Sequence, residues 1–252
     1  MGIESWNLEL ANRILNKNKN NGFLSCITKA ERGMGKSMYN LKVLAQVYYQ
    51  LDPNHDETLA WKTALNNMIF SADDLLDKIN YNIEQDIVSP AWCLDDAAVH
   101  FSNYLFFIDV YQAQLLNAAF DTIRTVVSGL LLNCPSKERL MSALKKYDDH
   151  EVTLYTTGEM GRQYGRKAVC IKYYSLPDGK KKFRKTFEDH FSVYVPTWVY
   201  NEYMVTRKHY LKEINDKIRL IRDKRNERMQ KKYGEVEKTE TSKTKDELFN
   251  YD

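Results

Sequence analysis

The sequence predicts an α/β fold with a three-layer core around a five-stranded, mostly parallel sheet, followed by a β-hairpin and C-terminal charged helices. Two observations predict the core: short apolar runs alternate with longer amphipathic stretches over the first 157 residues, and each apolar run ends in polar or turn-forming residues. A third observation predicts the hairpin, because a Pro-Asp-Gly turn joins the strand-like runs 167–174 and 181–187.

The first half of the predicted core is helix, strand, turn and helix. The pattern indicates an amphipathic helix over 6–15, a buried strand over 23–28, a glycine-containing turn over 30–35 and a helix over 36–51. Pro53 follows this last helix, and proline cannot continue a helix. The chain therefore enters its predicted sheet at residue 23 and leaves the strand through a glycine-rich turn.

The second half of the core continues the alternation. Further strands are predicted at 67–71, 90–94, 129–133 and 152–157, with helices at 74–80, 104–126 and 136–147. Ser71 or Asp73 is expected to cap the first of these helices. The regular alternation favours parallel strands that are covered on both faces.

Changes in pattern divide the chain into four segments. These are an alternating α/β core at 1–157, a basic β-hairpin extension at 158–195, a C-terminal charged helical segment at 196–233 and a tail at 234–252. From Gly234 onward the mixture of Glu, Lys, Thr and Ser has no aliphatic periodicity, which predicts disorder.

Composition excludes several classes of protein. No stretch approaches the roughly 18 apolar residues that span a bilayer, and the N-terminus has no signal-peptide pattern, so a soluble intracellular protein without membrane contact is expected. The four cysteines are far apart and form no CxxC pair. This spacing argues against a zinc site or a disulfide framework and predicts buried free thiols.

Charge is distributed unevenly along the chain. Net charge is only +3, but residues 158–233 contain 20 lysines and arginines against 9 aspartates and glutamates. A basic segment on a mildly acidic body is typical of nucleic-acid partners, because phosphate contacts release counterions. A solvated helix face with i,i+4 ion pairs is the simpler alternative.

Residues 30–37, Ala-Glu-Arg-Gly-Met-Gly-Lys-Ser, predict a phosphate-binding loop. Such a loop needs glycines so that backbone N–H groups can surround a phosphate, a lysine to reach the β- and γ-phosphates, and a hydroxyl for Mg²⁺. Ala30 departs from the GxxxxGK[ST] pattern, which a negative φ at this position would allow. The predicted nucleotide contacts are Arg32, Gly33, Met34, Gly35, Lys36, Ser37 and Met38, with Lys36 also catalytic and Ser37 also a metal ligand.

An acidic pair follows the predicted strand 90–94. Asp95 is expected to hold Mg²⁺ through water, opposite Ser37, and Asp96 to act as the base on the attacking water. The alternative is that both acids only cap the turn after the strand.

Two further residues are candidates for catalysis. Asn133 ends the strand 129–133, where its side chain is expected to sense the γ-phosphate or the attacking water; it is otherwise a turn residue before Pro135. Arg124 is a candidate arginine finger that acts on a neighbouring subunit, and the alternative is an arginine that stabilises the dipole of its own helix.

The hairpin carries most of the predicted nucleic-acid contacts. Basic residues interleaved with aromatic ones suit backbone contact together with base stacking, although lysines also protect ordinary sheet edges. The candidates are Arg162, Arg166, Lys167, Lys180, Lys181, Lys182, Arg184 and Lys185.

Several sequence blocks together resemble a known family. The segments 21–27, 32–37, 94–97, 123–133 and 195–203 are similar to the P-loop ATPase of spindle-shaped archaeal viruses (fuselloviruses) and related plasmids, with a likeness from about residue 5 to 210. The resemblance implies an AAA+/DnaA-like P-loop NTPase (ASCE) core, ATP and Mg²⁺ as cofactors, a role in viral DNA replication and a place in the host cytoplasm. A hairpin and charged helices stand where replicative initiators carry a helical lid and a helix-turn-helix domain.

Three hypotheses for function follow. The first is an ATPase that works on viral or plasmid DNA as an initiator or helicase-loader-like factor, in a homo-oligomer. The second is a DNA-packaging or translocating motor. The third is a nucleotide-gated switch that recruits a protein partner through the C-terminal helices and hydrolyses little ATP. Small-molecule kinase chemistry is a more distant alternative, because no acceptor lid is evident.

Overall fold

A computed structural model describes residues 2–97, 101, 110–135, 138, 140–145, 150–157, 165–176 and 181–248. The chain forms two compact units, Met1–Tyr203 and Met204–Asp252. The first unit contains the sheet and the glycine-rich loop at 30–37, so it is the unit that positions the candidate site.

Seven strands form one mixed sheet in the order β2-β3-β4-β1-β5-β6-β7. The first five in this order are parallel, whereas β6 runs antiparallel to β5 and β7 antiparallel to β6. The strands are β1 (Leu24–Lys29), β2 (Met68–Ile69), β3 (Trp92–Leu94), β4 (Gly129–Asn133), β5 (His150–Thr156), β6 (Gly165–Ser175) and β7 (Lys181–Ser192).

Except for 57–66, where the periodicity predicts no helix, the described helices overlap the predicted ones and differ from them at their ends. They are α1 (Glu9–Lys19), α2 (Lys36–Leu51), α3 (Glu57–Asn66), α4 (Ala72–Glu84), α5 (Val110–Thr122), α6 (Ser142–Lys145) and α7 (Thr197–Leu248), with 3-10 turns at Ile3–Ser5 and Ile123–Thr125. The Ser71 side chain accepts a hydrogen bond from the Asp74 N–H, which confirms Ser71 as the cap of α4.

The sheet differs from the prediction in its strand count, seven instead of five. The predicted hairpin extension is β6 and β7, and it continues the core sheet, with β6 paired to β5 from Thr156↔Arg166 to His150↔Lys172. The physical reason is that the outer edge of β5 carries backbone N–H and C=O groups that must be paired, and the hairpin pairs them. The periodicity identifies the hairpin but does not show which edge it joins.

The C-terminal region also differs from the expectation. The last helix begins at Thr197 and continues to Leu248, through the segment 234–248 for which composition predicts disorder. Glu and Lys have high helix propensity and can form i,i+4 pairs, so this composition is compatible with a helix that has no apolar face.

Side chains of β1 show that helices cover both faces of the sheet. Ile27 belongs to a buried cluster with residues of α4 and α5, such as Leu75 and Phe120. Cys26, which precedes Ile27 and therefore points to the other face, lies close to the buried Tyr39 of α2. This arrangement is the predicted three-layer core.

All four cysteines are buried and free, as the spacing predicts. Within the described part of the chain, no helix combines the length and the apolar character that crossing a bilayer requires.

Candidate nucleotide site

The glycine-rich loop connects the C-terminal end of β1 to the N-terminus of α2. Gly33 and Gly35 have φ values of +80° and +89°, the left-handed region that glycine tolerates best. A β-carbon at Gly35 would also overlap Val193 Cγ1, which packs over the loop. Ala30 is not among the positive-φ residues, so alanine is compatible with the backbone at that position. The loop therefore has the backbone that a phosphate-binding loop requires.

Lys36, the first residue of α2, folds back over the loop that precedes it. Its Nζ donates hydrogen bonds to the carbonyl oxygens of Ala30, at 2.8 Å, and Glu31, at 2.9 Å. The ammonium group is thus held above the loop, on the side where the first N–H groups of a helix attract anions. A lysine in this position can exchange carbonyl oxygens for phosphate oxygens.

Polar side chains from three elements converge beside the loop. Ser37 Oγ donates to Asp95 Oδ1 at 2.9 Å. Asn133 Nδ2 donates to Ser37 Oγ at 2.8 Å and also to Asp95 Oδ1. The parallel register explains why these side chains lie close together. Thr28 of β1 lies opposite Asn133 of β4, and the carboxyl ends of parallel strands lie at the same edge of the sheet. The structure thus brings Ser37, Asp95 and Asn133 into one cluster.

Asp95 is fully buried at the centre of this cluster. Burial raises its pKa above the ordinary value of an aspartate, and the nearby negative charge of Asp96 raises it further. Hydrogen bonds from Tyr203, Asn133 and Ser37 act in the opposite direction, because they stabilise the ionised form. The carboxylate is therefore held in a site where a cation would relieve the cost of its burial.

Asp96 has an unusual backbone conformation, with a φ of +47°. Aspartate visits this left-handed region more readily than most residues do, and such strain is concentrated at functional sites. Its side chain is partly buried next to Asp95, and the role of base stays a prediction for it.

The donor set fits Mg²⁺. Within the described residues no group of three or more His, Cys, Asp and Glu side chains is arranged to hold a metal. The oxygens beside the loop are those of Ser37, Asp95 and Asn133, so a ligand's phosphates and water would fill the other positions around an ion. Mg²⁺ is usually held in this way, by one or two protein oxygens plus phosphates and water. Asn133 Oδ1 is buried and accepts no hydrogen bond within the described structure, which leaves an acceptor for a water molecule.

Tyr203, on the first turns of α7, is a site residue that the sequence patterns did not identify. Its hydroxyl donates to Asp95 Oδ2 at 2.7 Å, and its ring lies 5.9 Å from that of Phe70. A tyrosine 108 residues away from Asp95 gives no local signal. Only the position of α7 brings the two groups together.

We expect Tyr203→Phe to reduce the free energy of unfolding by about 2 kcal/mol at neutral pH, because a buried carboxylate loses a charge-assisted hydrogen bond. The loss should shrink as the pH falls into the raised titration range of Asp95, since a neutral carboxyl accepts a weaker bond. Urea melts at several pH values would measure this dependence. A loss that is the same at every pH would show that the ring's packing, not the hydroxyl, is responsible.

The other predicted site residues lie in different places. Arg32 is exposed, and Met34 contributes its carbonyl oxygen to a hydrogen bond from Arg166 Nε at 3.3 Å. Met38 is partly buried in the first turn of α2. Arg166 thus lies against the loop, and nucleic-acid contact stays a prediction for it.

Arg124 lies at the amino ends of the parallel strands, opposite the carboxyl ends where the glycine-rich loop lies. It is exposed in the turn Ile123–Thr125, ahead of the N-terminal end of β4, whereas the loop follows the C-terminal end of the neighbouring β1. Arg124 therefore lies away from the loop of its own chain, and action on a neighbouring subunit remains its predicted role.

The basic residues of the hairpin fall into two groups. Lys167 and Lys185 form ion pairs with Glu188. The hydrogen bond from Lys185 is the main reason that the pKa of Glu188 falls to about 2, and the hydrogen bond from Lys167 contributes less. Lys182 and Arg184 are exposed on β7. Arg162 and Lys180 lie outside the described residues, as does the side chain of Lys181.

Comparisons with known proteins place this geometry in context. No protein-family model matches the chain. Among solved structures, the N-terminal domain of zonular occludens toxin from Neisseria meningitidis is 10% identical with a TM-score of 0.41 and covers 71% of this chain and 98% of its own. A second solved structure, an ATPase domain, is 10% identical with a TM-score of 0.35 and covers 64% of this chain and 80% of its own. These scores are too low to support the fold assignment, which depends on the strand order and the loop.

A relative is found by sequence. Uncharacterized protein B-251 of Sulfolobus spindle-shape virus 1 is 27% identical over 225 residues, which is 87% of each chain. The similarity extends well beyond the glycine-rich loop. The chain is thus similar, over most of its length, to an uncharacterized protein of a spindle-shaped archaeal virus.

Proposed function

We propose that this protein binds ATP with Mg²⁺, hydrolyses it and acts on viral or plasmid DNA as a replication initiator or helicase-loader-like factor. The observation that carries the nucleotide part is the hydrogen-bonded cluster of Ser37, Asp95 and Asn133 beside a glycine loop with Lys36 above it. The DNA part is supported by the basic hairpin and by the similarity to a viral protein.

Each residue of the cluster has a role that its position supports. Lys36 and the first N–H groups of α2 would bind the β- and γ-phosphates, and the Ser37 hydroxyl oxygen would be a ligand of the metal. When bound, Mg²⁺ neutralises charge that develops on the phosphates. Asp95 would hold Mg²⁺ through water, Asn133 Oδ1 would accept a hydrogen bond from the attacking water, and Asp96 would take the proton of that water.

A nucleotide-gated switch is the second candidate, and the Tyr203 hydrogen bond favours it. Asp95 Oδ2 accepts a hydrogen bond from Tyr203 in the first turns of α7. Metal binding at the Asp95 carboxylate would therefore alter a hydrogen bond that holds the start of this helix. In this candidate the chain hydrolyses ATP slowly and recruits a protein partner through α7. A DNA-stimulated packaging or translocating motor is the remaining alternative.

We expect Lys36→Ala to reduce ATP hydrolysis by at least about 100-fold, because the lysine stabilises charge on the transferred phosphate. The matched control is Lys62→Ala, an exposed lysine of α3 away from the loop. Hydrolysis should be measured with and without single- and double-stranded DNA at several salt concentrations.

Strong DNA stimulation that is lost in Lys36→Ala would support a DNA-coupled ATPase. Slow hydrolysis that DNA does not change, together with an oligomeric state that follows the bound nucleotide, would favour the switch. Equal hydrolysis by wild type and Lys36→Ala would contradict the proposed nucleotide chemistry.

A further inference from the structure

A basic cleft lies between α1 and the hairpin, within the first unit. Its volume is about 450 Å³, and it is lined by Arg13, Lys172, Tyr174, Arg184 and Thr186. Three of these five lining residues are cations, and none is an acid. Arg13 and Lys172 did not stand out in the sequence, because they lie 159 positions apart and the cleft forms only when β6 and β7 pack beside α1.

The two hairpin cations face each other directly. Lys172 of β6 is the register partner of Arg184 of β7, and within the described structure neither has an ion-pair partner. Like charges directly opposite each other on antiparallel strands destabilise the pair. The pair therefore lowers the stability of the hairpin and places two cations at one cleft. We expect such a pair where an anion binds between the two cations.

Arg13 is held rigidly at the third side of the cleft. Its Nη2 donates to the Thr186 carbonyl at 3.2 Å, its Nε pairs with Glu9 Oε1 at 2.8 Å, and its guanidinium lies 5.0 Å from the centre of the Phe187 ring. A guanidinium that is already fixed loses little freedom when it binds an anion.

The opposite face of the hairpin has the contrasting arrangement. Lys185 follows Arg184 along β7 and so points to the other face, where Glu188 pairs with it and with Lys167. The hairpin thus has one face on which charges are neutralised internally and one face on which they are not. Tyr174 is exposed on the second face, next to the cations.

We infer that the cleft binds the phosphate backbone of a nucleic-acid strand, with Arg13, Lys172 and Arg184 on the phosphates and Tyr174 beside a base. Guanidinium groups recognise phosphates with paired hydrogen bonds, and aromatic rings beside a basic groove stack bases without regard to sequence. This inference rests on the proposed DNA role and specifies which residues carry it.

The test compares Lys172→Gln, Arg184→Gln and the double variant with Lys62→Gln, which removes an equal charge from an exposed position of α3. The readout is fluorescence anisotropy of labelled single- and double-stranded DNA over a range of salt concentrations. Each cleft substitution should weaken binding about 5-fold and lower the salt slope by about 1, whereas Lys62→Gln should weaken it less than about 2-fold. The melting temperature of the cleft variants should be unchanged or higher, since a like-charge pair is removed.

Different failures lead to different conclusions. DNA binding by the double variant that equals wild type would overturn the inference and leave the proposed DNA role intact. No binding of either DNA by the wild type at about 50 mM salt, where phosphate contacts are strong, would overturn both. Wild-type binding of poly-glutamate as tight as that of DNA, lost in the double variant, would overturn the inference in favour of an acidic protein partner.

Discussion

Asp95→Asn is expected to abolish Mg²⁺-dependent ATP hydrolysis and, at the same time, to raise the stability of the ligand-free protein. Hydrolysis should fall by at least about 100-fold, because the amide cannot replace the carboxylate on the metal side. Stability should rise because burial penalises the ionised form of Asp95, as its raised pKa indicates. We expect a gain of about 1–2 kcal/mol, or roughly 2–8 °C in melting temperature.

Asparagine fits the hydrogen bonds that Asp95 makes. Its Oδ1 can keep both donors, Ser37 Oγ and Asn133 Nδ2, and the Tyr203 hydroxyl can rotate to accept from the new amide group. Ser37 and Asn133 therefore keep their acceptor, and only the Tyr203 hydroxyl hydrogen has to find another one, which separates this substitution from one that only removes a side chain.

The stability gained by Asp95→Asn should increase with pH. Below the ordinary aspartate pKa of 3.8, Asp95 is protonated in the folded and the unfolded states, so the gain should vanish. As the pH rises, the unfolded state releases this proton first, and the wild type loses stability relative to Asp95→Asn until the folded-state pKa is passed. Thermal melts without nucleotide or Mg²⁺ between about pH 3.5 and 8 are the measurement. A lower melting temperature for Asp95→Asn near neutral pH would show that the carboxylate is structural.

Asp189→Ala is expected to have the largest effect on stability, a loss of about 3 kcal/mol. Asp189 is buried on β7 and accepts hydrogen bonds from the Tyr39 hydroxyl at 2.7 Å and from the backbone N–H groups of Glu9 at 2.7 Å and Leu10 at 3.4 Å. It thus caps the N-terminus of α1 from a distant strand. Alanine leaves three donors without an acceptor, and the backbone donors cannot turn away.

A mutant cycle with Tyr39→Phe separates the contributions. Phenylalanine removes the hydroxyl that Asp189→Ala leaves unsatisfied, so the double variant should lose less stability than the sum of the two single variants. Glu188→Ala, the neighbouring acid whose ion pairs lie on the surface, is the control and should change stability little. Urea melts of the wild type, the two single variants, the double variant and the Glu188→Ala control give the comparison. An additive cycle would mean that Tyr39 and Asp189 do not share a hydrogen bond that matters.

The core of the site could be predicted from sequence because each part has a local signal. The glycine loop between a buried strand and a helix predicts Lys36 and Ser37, and polar residues at the ends of strands predict Asp95 and Asn133. Parallel strands place their carboxyl ends at one edge, so these residues meet once the strands pair. The contact between the Arg166 guanidinium and the Met34 carbonyl has no such local signal, because it depends on the pairing of β6 with β5.

The sequence by itself determined the alternating α/β pattern, the glycine-rich loop and the carboxylate and amide at the strand ends. Each of these features depends on residues that are only a few positions apart in the chain. The tertiary structure alone decided that the hairpin joins the edge of β5, that Tyr203 reaches Asp95, that Asp189 caps α1 and that Arg13 faces Lys172 and Arg184. Such pairings join residues far apart in the chain, and the packing of buried surfaces, which no local pattern records, selects them.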